Sequence, residues 1–371
     1  MKDVTEVQAL GGGWSDTPPI TNESGGDVCN VAITLEKEIH CLGCRARRVS
    51  LPNEDRIKFV LHSKGDPSSP VICSTQSDLD DHFNPKSPGA LLKCVLLSLM
   101  SSEELFLLPK KQYEIQTWSD LPAGSGLGGS SILAACAVLS LGRLFGFCLS
   151  RMDIINAVLK VEQLLSTGGG WQDQIGAIYP RFKITRSPAR LPVEVHVDPL
   201  PCSNEFLEEF EARVVLIQTG PARLARDLLQ NVVRRWHRRE EEFTVAIEQL
   251  RQNAERMSLA ITSENFLAIG RELNEYWKLK KFVTGQDQAE PQLVKDLFKE
   301  TSTLTDSQCL CGAGGGGFAV LILKTDTNFE SLHSIVTKKF PYMQVHHVYV
   351  CSKGLSSFRE DLLEEQYQFA D

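Results

Sequence analysis

The chain lacks any apolar stretch long enough to cross a bilayer. Its longest apolar run, Ile132 to Leu149, is broken by Arg143 and two glycines, whereas a membrane helix needs about 20 consecutive apolar residues. A buried core helix is expected there, and no membrane partner. Positive charge is also short. The net charge of −8 argues against a general binder of nucleic acid or anionic membranes, so an anionic ligand must be held by a local device. The basic cluster RRWHRREEEF at 234–243 sets four arginines beside three glutamates. Pairing at i,i+4 on a solvated helix face accounts for it, and no nucleic-acid partner is expected. A cysteine framework is missing too: the eleven cysteines are odd in number and irregularly spaced, as expected of a reducing, cytoplasmic setting. Cys41-Leu-Gly-Cys44 has no second pair at metal-ligand spacing, so it does not read as a zinc site. No signal peptide is expected, and no pattern speaks to oligomeric state.

What is present is a mixture of strand-like and helical stretches. The 371 residues exceed one ordinary core and suggest two domains. The composition turns loop-like around VHVDPLPCSNEF, which divides the chain into 1–200 and 201–371. In the first part, residues 38–49, 56–63 and 113–122 read as strands, and 89–100 as a helix. Ile154, Ile155, Val158, Val161 and Leu165 recur at helical spacing over 151–165. In the second part, 212–220, 309–324 and 343–351 contain strands, separated by helical stretches. The expected class is α+β, with mostly antiparallel or mixed sheets covered by helices on one side.

Three glycine-rich segments stand far apart: Gly11 to Gly13, Gly124 to Ser131, and Gly312 to Gly317. The middle one, LPAGSGLGGSS, lies between a strand and the apolar helix. Unpaired N–H groups at a helix N-terminus, with the helix dipole, make a cradle for phosphate. A Walker loop needs a lysine that is absent here, and GSGLGG has no supporting βαβ unit with an acid about 20 residues on. A tight strand-to-helix turn without a ligand is the bland alternative. Glu162, near the end of the next helix, and Asp173 place two carboxylates close by in sequence. Together with the cradle they suggest Mg²⁺-nucleotide chemistry, with the Ser130 hydroxyl and the Glu162 carboxylate as hard oxygen ligands.

These motifs resemble the kinase superfamily named for galactokinase, homoserine kinase, mevalonate kinase and phosphomevalonate kinase. PAGSGLGGSS, at Pro122 to Ser131, is similar to its P-x-x-x-G-L-G-S-S motif. Gly312 to Gly317 resembles its C-terminal glycine loop, and GGGWQDQ resembles the segment of its catalytic aspartate. Within the superfamily, GGGWSDTPP at 11–19 and TGGGWQDQ at 167–174 look like the L-fucose kinases. The resemblance implies a two-domain sugar-kinase fold, with a ribosomal-protein-S5-like N-terminal domain and a ferredoxin-like C-terminal domain. It also implies ATP-dependent conversion of L-fucose to L-fucose 1-phosphate, the salvage step before GDP-fucose. Asp173 would be the base for the anomeric hydroxyl. Pro122, Gly124, Ser125, Gly126, Leu127, Gly128, Gly129, Ser130 and Ser131 would wrap ATP, and Ser130 and Glu162 would hold Mg²⁺. Gly13, Trp14, Asp16 and Trp171 would meet the sugar, the tryptophans having core packing as their alternative. Gly314 and Gly315 would close over the substrates.

The likeness breaks before the first glycine loop. The family carries an Arg-hydrophobic-Asp stretch where this chain has Val7 and Ala9, and Lys2 is not at that place. Loss of a cation beside the transferring phosphoryl group costs on the order of a few kcal/mol of transition-state stabilisation. Gly129 also replaces the first of two serines. Two alternatives therefore stand beside an L-fucose kinase: a kinase for another sugar such as a heptose phosphate, and a catalytically silent protein that binds sugar or ATP.

Overall fold

A computed structural model describes residues 6–35, 42–50, 56–64, 66–121, 124–220 and 225–356, with side chains omitted at 6, 7 and 225–227. Three sheets organise these residues. The first is antiparallel and runs Glu6–Gly11, Gly26–Thr34, Phe182–Ser187, His196–Pro199, with Tyr349–Val350 added to the far end of Gly26–Thr34. The second runs Leu42–Val49, Gln112–Ser119, Lys58–Ser63, Val71–Cys73, and its Lys58–Ser63 strand is parallel to Gln112–Ser119. The third is antiparallel and runs Thr305–Leu310, Gly317–Leu323, Val214–Gly220, Gln344–His347. The α+β expectation holds, but the helix cover expected on one side is found on both faces of the first sheet, whose alternate residues enter two different apolar clusters.

Strand Gly26–Thr34 is buried along its whole length, because helices cover both faces of its sheet. Helix Glu241–Thr262 packs on it, as does the short helix Gln172–Ile178 that carries Asp173. Helix Gly129–Phe145 is apolar on nearly every side and buried accordingly, as a core helix must be. It stops four residues before the end of the apolar run. Gly146 takes a left-handed conformation, Phe147 N–H bonds back to Gly142, and Leu149 folds onto Gly142. Helix Arg151–Leu164 begins at a capping box in which Ser150 and Asp153 satisfy each other's backbone N–H groups, and its buried stripe is Ile154, Ile155, Val158 and Val161. One expected strand is split: over 343–351, Gln344–His347 joins the third sheet and Tyr349–Val350 the first, with Val348 buried between them.

Two apolar clusters form the core. One gathers the second sheet and helices Ala90–Leu99, Gly129–Phe145 and Arg151–Leu164. The other joins the first sheet to residues well past 200: Phe182 meets Phe210 edge-on with ring centroids 4.9 Å apart. The first and third sheets therefore share one core. The glycine loops lie where these parts meet.

Candidate active site

Alternate glycines shape the loop before helix Gly129–Phe145. Gly124, Gly126 and Gly128 have φ of 76°, 78° and 74°, a region costly for any residue with a β-carbon. The helix's first backbone bond runs from Ile132 N–H to the Gly128 carbonyl, so the N–H groups of the preceding turn are available to an anion. The loop is braced from the second half of the chain. Phe318 N–H donates to the Ser125 carbonyl at 2.9 Å, and Gly312 packs directly on Gly126. Gly315 N–H is in turn tied to the Ala289 carbonyl at 2.8 Å.

Two carboxyl groups, Asp173 and Glu162, meet the helix end of this loop, and a third, Asp16, acts on Asp173 electrostatically. Asp173 sits in the first turn of helix Gln172–Ile178, beside Gly128. Burial raises its pKa from 3.8 to about 7, with Asp16 and then Glu162 adding to the rise and Lys280 opposing it. Asp16 is 1% exposed; its two oxygens accept from the backbone N–H groups of Trp14 and Gln172, each at 3.1 Å. It thus ties the two GGGW loops together, and burial raises its pKa to about 6 against those hydrogen bonds. A β-carbon on Gly170 would lie 2.0 Å from Asp16 Oδ2, which is why a glycine stretch precedes Trp171. Glu162 is buried, accepting from Ser131 Oγ at 2.7 Å and from Thr167 Oγ1. Lys183, 1% exposed, caps the far end of the Asp173 helix region by donating to the carbonyls of Gly176, Tyr179 and Arg181 at 2.8, 2.6 and 3.1 Å.

The structure brings Asp16, Gly128, Glu162 and Asp173 together and separates some of the other expected residues from them. Ser131, not Ser130, bonds Glu162; Ser130 is exposed at the helix start. Trp171 is fully buried in the core with its indole N–H on Thr21 Oγ1, so it serves packing. Trp14 is buried at φ of 81°. Pro122, Lys2 and Cys41 lie outside the described residues. Sequence reasoning missed Thr167, Gln172, Tyr276 and Lys280. Thr167 and Gln172 flank the quoted glycines and could have been found there. Lys280, buried on helix Phe266–Thr284 and bonded to the Leu310 carbonyl at 2.6 Å, carries no local signal.

The oxygen-rich set fits Mg²⁺ in kind, since crowded carboxyl groups favour a hard cation. Among the described residues no group of three or more His, Cys, Asp or Glu could hold a metal ion by itself, and no helix is long and apolar enough to cross a membrane.

A glycine loop at a helix N-terminus lies against buried acids. Residues 90–181 match the GHMP kinases N terminal domain. A D-glycero-D-manno-heptose 1-phosphate kinase from a Bacteroides species has the same fold, with a TM-score of 0.70 at 21% identity over 95% of this chain and 96% of that one. Nearer in sequence are two bifunctional proteins. The chain is 34% identical, over 84% of its length, to the fucokinase/GDP-fucose pyrophosphorylase of Arabidopsis thaliana. It is 29% identical, over 90% of its length, to the L-fucokinase/L-fucose-1-P guanylyltransferase of Bacteroides fragilis. It spans 29% and 35% of those two proteins. The D-glycero-alpha-D-manno-heptose 7-phosphate kinase of Campylobacter jejuni is 26% identical over 90% of this chain and 92% of its own.

Proposed function

We propose that this chain transfers the γ-phosphoryl group of ATP to the anomeric hydroxyl of L-fucose. The observation that carries the reading is the contact between the cradle and a carboxyl group: Asp173 lies against Gly128, where the loop enters its helix. Phosphoryl transfer depends chiefly on positioning and charge neutralisation. The loop from Gly124 to Ser131 wraps the phosphates, with the backbone N–H groups of the turn from Gly128 to Ser131 facing them; the Leu127 N–H is held by Ser125 Oγ. Asp173 accepts the hydroxyl proton, and its raised pKa suits a base that works near neutrality. Lys183 and Asp16 hold the Asp173 helix at its two ends. Ser130 and Glu162 would hold Mg²⁺, which when bound offsets phosphate charge. Lys280 is a buried cation near Asp173 and supplies charge of the kind missing at Val7. The chain divides near residue 200; the strand order of the second part, within a β-α-β-β-α-β succession, supports a ferredoxin-like description.

A heptose phosphate is the second reading, favoured by the heptose 7-phosphate kinase that matches nearly end to end. The test is ADP release with ATP, Mg²⁺ and each sugar, beside a no-sugar blank and Asp173→Asn. Fucose-dependent release lost in Asp173→Asn supports the proposal. Release only with a heptose phosphate supports the second reading. Binding without turnover would make the chain a silent homologue.

A further inference from the structure

The helix that carries Asp173 ends where its own backbone cannot close it. In a helix the Gly176 carbonyl would take the N–H of residue 180, but that residue is a proline and has none. Lys183 supplies the missing donor. Its Nζ donates to the carbonyls of Gly176, Tyr179 and Arg181 at 2.8, 2.6 and 3.1 Å. The same group puts a positive charge at the helix C-terminus, where the helix dipole favours it. Lys183 stands on strand Phe182–Ser187 directly opposite Asn30 of strand Gly26–Thr34. Residues paired in this way share one face of the sheet, and Asn30 Nδ2 donates to the Gln172 carbonyl at 3.2 Å. One cross-strand pair therefore supports the short helix Gln172–Ile178 in its first turn and at its end, with Asp173 between.

The number of bonds sets a condition on charge. An ammonium group has three N–H donors, and Lys183 uses three. A neutral amine has two, and it turns a lone pair toward the third carbonyl. Burial opposes the charge and lowers the Lys183 pKa to about 7. The titratable groups that face it are thiols, Cys29 on the neighbouring strand and Cys351 beyond Tyr349–Val350, and they oppose that shift. Among the described residues no carboxylate holds the ammonium group; the three carbonyls do.

We propose that Lys183 and Asn30 are positioning residues for Asp173, and that Lys183 holds the Asp173 helix only as an ammonium ion, so that loss of its proton frees the helix end and slows phosphoryl transfer. The inference rests on the kinase reading above and adds a second ionisation to it. At Asp173, which is faced by Asp16, Glu162 and Lys280, the proton must be absent. At Lys183 it must be present. Turnover then has an alkaline limb as well as an acidic one.

The test measures kcat and KM from pH 6 to pH 9 for wild type, Lys183→Met, Lys183→Arg and Asn30→Ala. ADP release is followed with ATP, Mg²⁺ and either L-fucose or a heptose 7-phosphate, whichever the wild type turns over, with thermal melting at each pH. Wild-type kcat is expected to fall above about pH 7 while KM for ATP stays level. Lys183→Met should lower kcat at pH 7 by about ten- to a hundredfold, as misplacement of a reacting group does, and should have no alkaline limb. Lys183→Arg keeps a charged donor, so its rate should hold to pH 9. Asn30→Ala should lower kcat and keep the limb. A limb that persists in Lys183→Met, a level wild-type rate from pH 7 to pH 9, or wild-type kcat in a folded Lys183→Met would overturn the proposal. If both Lys183 variants melt early, Asn30→Ala decides, and an unchanged kcat there overturns it. Should the wild type turn over no sugar, the kinase reading fails by itself. Hydrogen exchange at residues 175–179, corrected for the intrinsic rate, then decides the helix support: protection lost between pH 6 and pH 9 in the wild type but kept in Lys183→Arg supports it, and equal protection sinks it.

Discussion

Gly128 and Asp173 touch so closely that no side chain fits between them: a β-carbon at position 128 would lie 2.9 Å from both Cβ and Cγ of Asp173. The turn proposed to present N–H groups to a phosphate is therefore the same turn that sets the depth of the carboxyl group. Strand Gln112–Ser119 leads to this turn, and helix Gly129–Phe145 fixes it from the other side.

Gly128→Ala should displace Asp173 and strain a residue at φ of 74°. An error of about 1 Å at a reacting group costs about a hundredfold in rate, while a β-carbon in the left-handed region costs about 1–2 kcal/mol. Steady-state kinetics and urea denaturation measure the two effects separately. A variant that keeps full activity would remove the cradle contact from the mechanism.

The pH dependence has opposite signs for rate and stability. Asp173 must be ionised to accept a proton, so turnover should fall as pH drops below about 7. Its folded pKa of about 7 exceeds the ordinary 3.8, so between those values the folded chain keeps a proton that the unfolded chain releases. Stability contributed by this group is thus present at low pH and lost as pH rises through that window. Asp173→Asn should abolish turnover, raise Tm at pH 8 and leave Tm unchanged at pH 4. Equal Tm at pH 8 would show that burial does not strain this carboxyl group.

Ser130 and Ser131 should separate cleanly. Ser131→Ala leaves Glu162 Oε1 without its 2.7 Å partner and should destabilise the fold by about 1–2 kcal/mol. Ser130→Ala removes an exposed hydroxyl and should leave the melting curve alone while raising the Mg²⁺ concentration for half-maximal rate. Magnesium titrations of both variants check this, and a Ser130→Ala enzyme with wild-type Mg²⁺ dependence would exclude Ser130 as a ligand.

Lys183→Met should destabilise the region behind Asp173. Three carbonyls, one buried and two partly buried, lose a donor at once, for a loss of about 2–4 kcal/mol. Hydrogen exchange should report the damage first in Gln172–Ile178, and uniform protection there would mean that the helix end is held without Lys183.

Much of this site was legible in the order of residues, because its parts are local. The cradle is a glycine loop before an apolar helix, and Gly170 precedes Trp171 in the quoted GGGW. The end of helix Gly129–Phe145 was read too late, since Gly146 was counted as an interruption and not as a stop. That Ser131 Oγ is the hydroxyl bonded to Glu162 carries no local signal: on a helix, adjacent residues face about 100° apart, and only packing against helix Arg151–Leu164 selects which hydroxyl points inward. Trp171 illustrates the same limit, for nothing local distinguishes a core indole from one that lines a pocket.

The sequence by itself determined the α+β class, the glycine loops and the run of acids, because periodicity and backbone freedom act over a few residues. Only the tertiary structure decided that Tyr276 meets Gly13, that Lys280 lies near Asp173, and that Asp16 ties one glycine loop to the other. Those pairs are separated by long stretches of chain, and no short-range force brings them together. A shared core between the first and third sheets does.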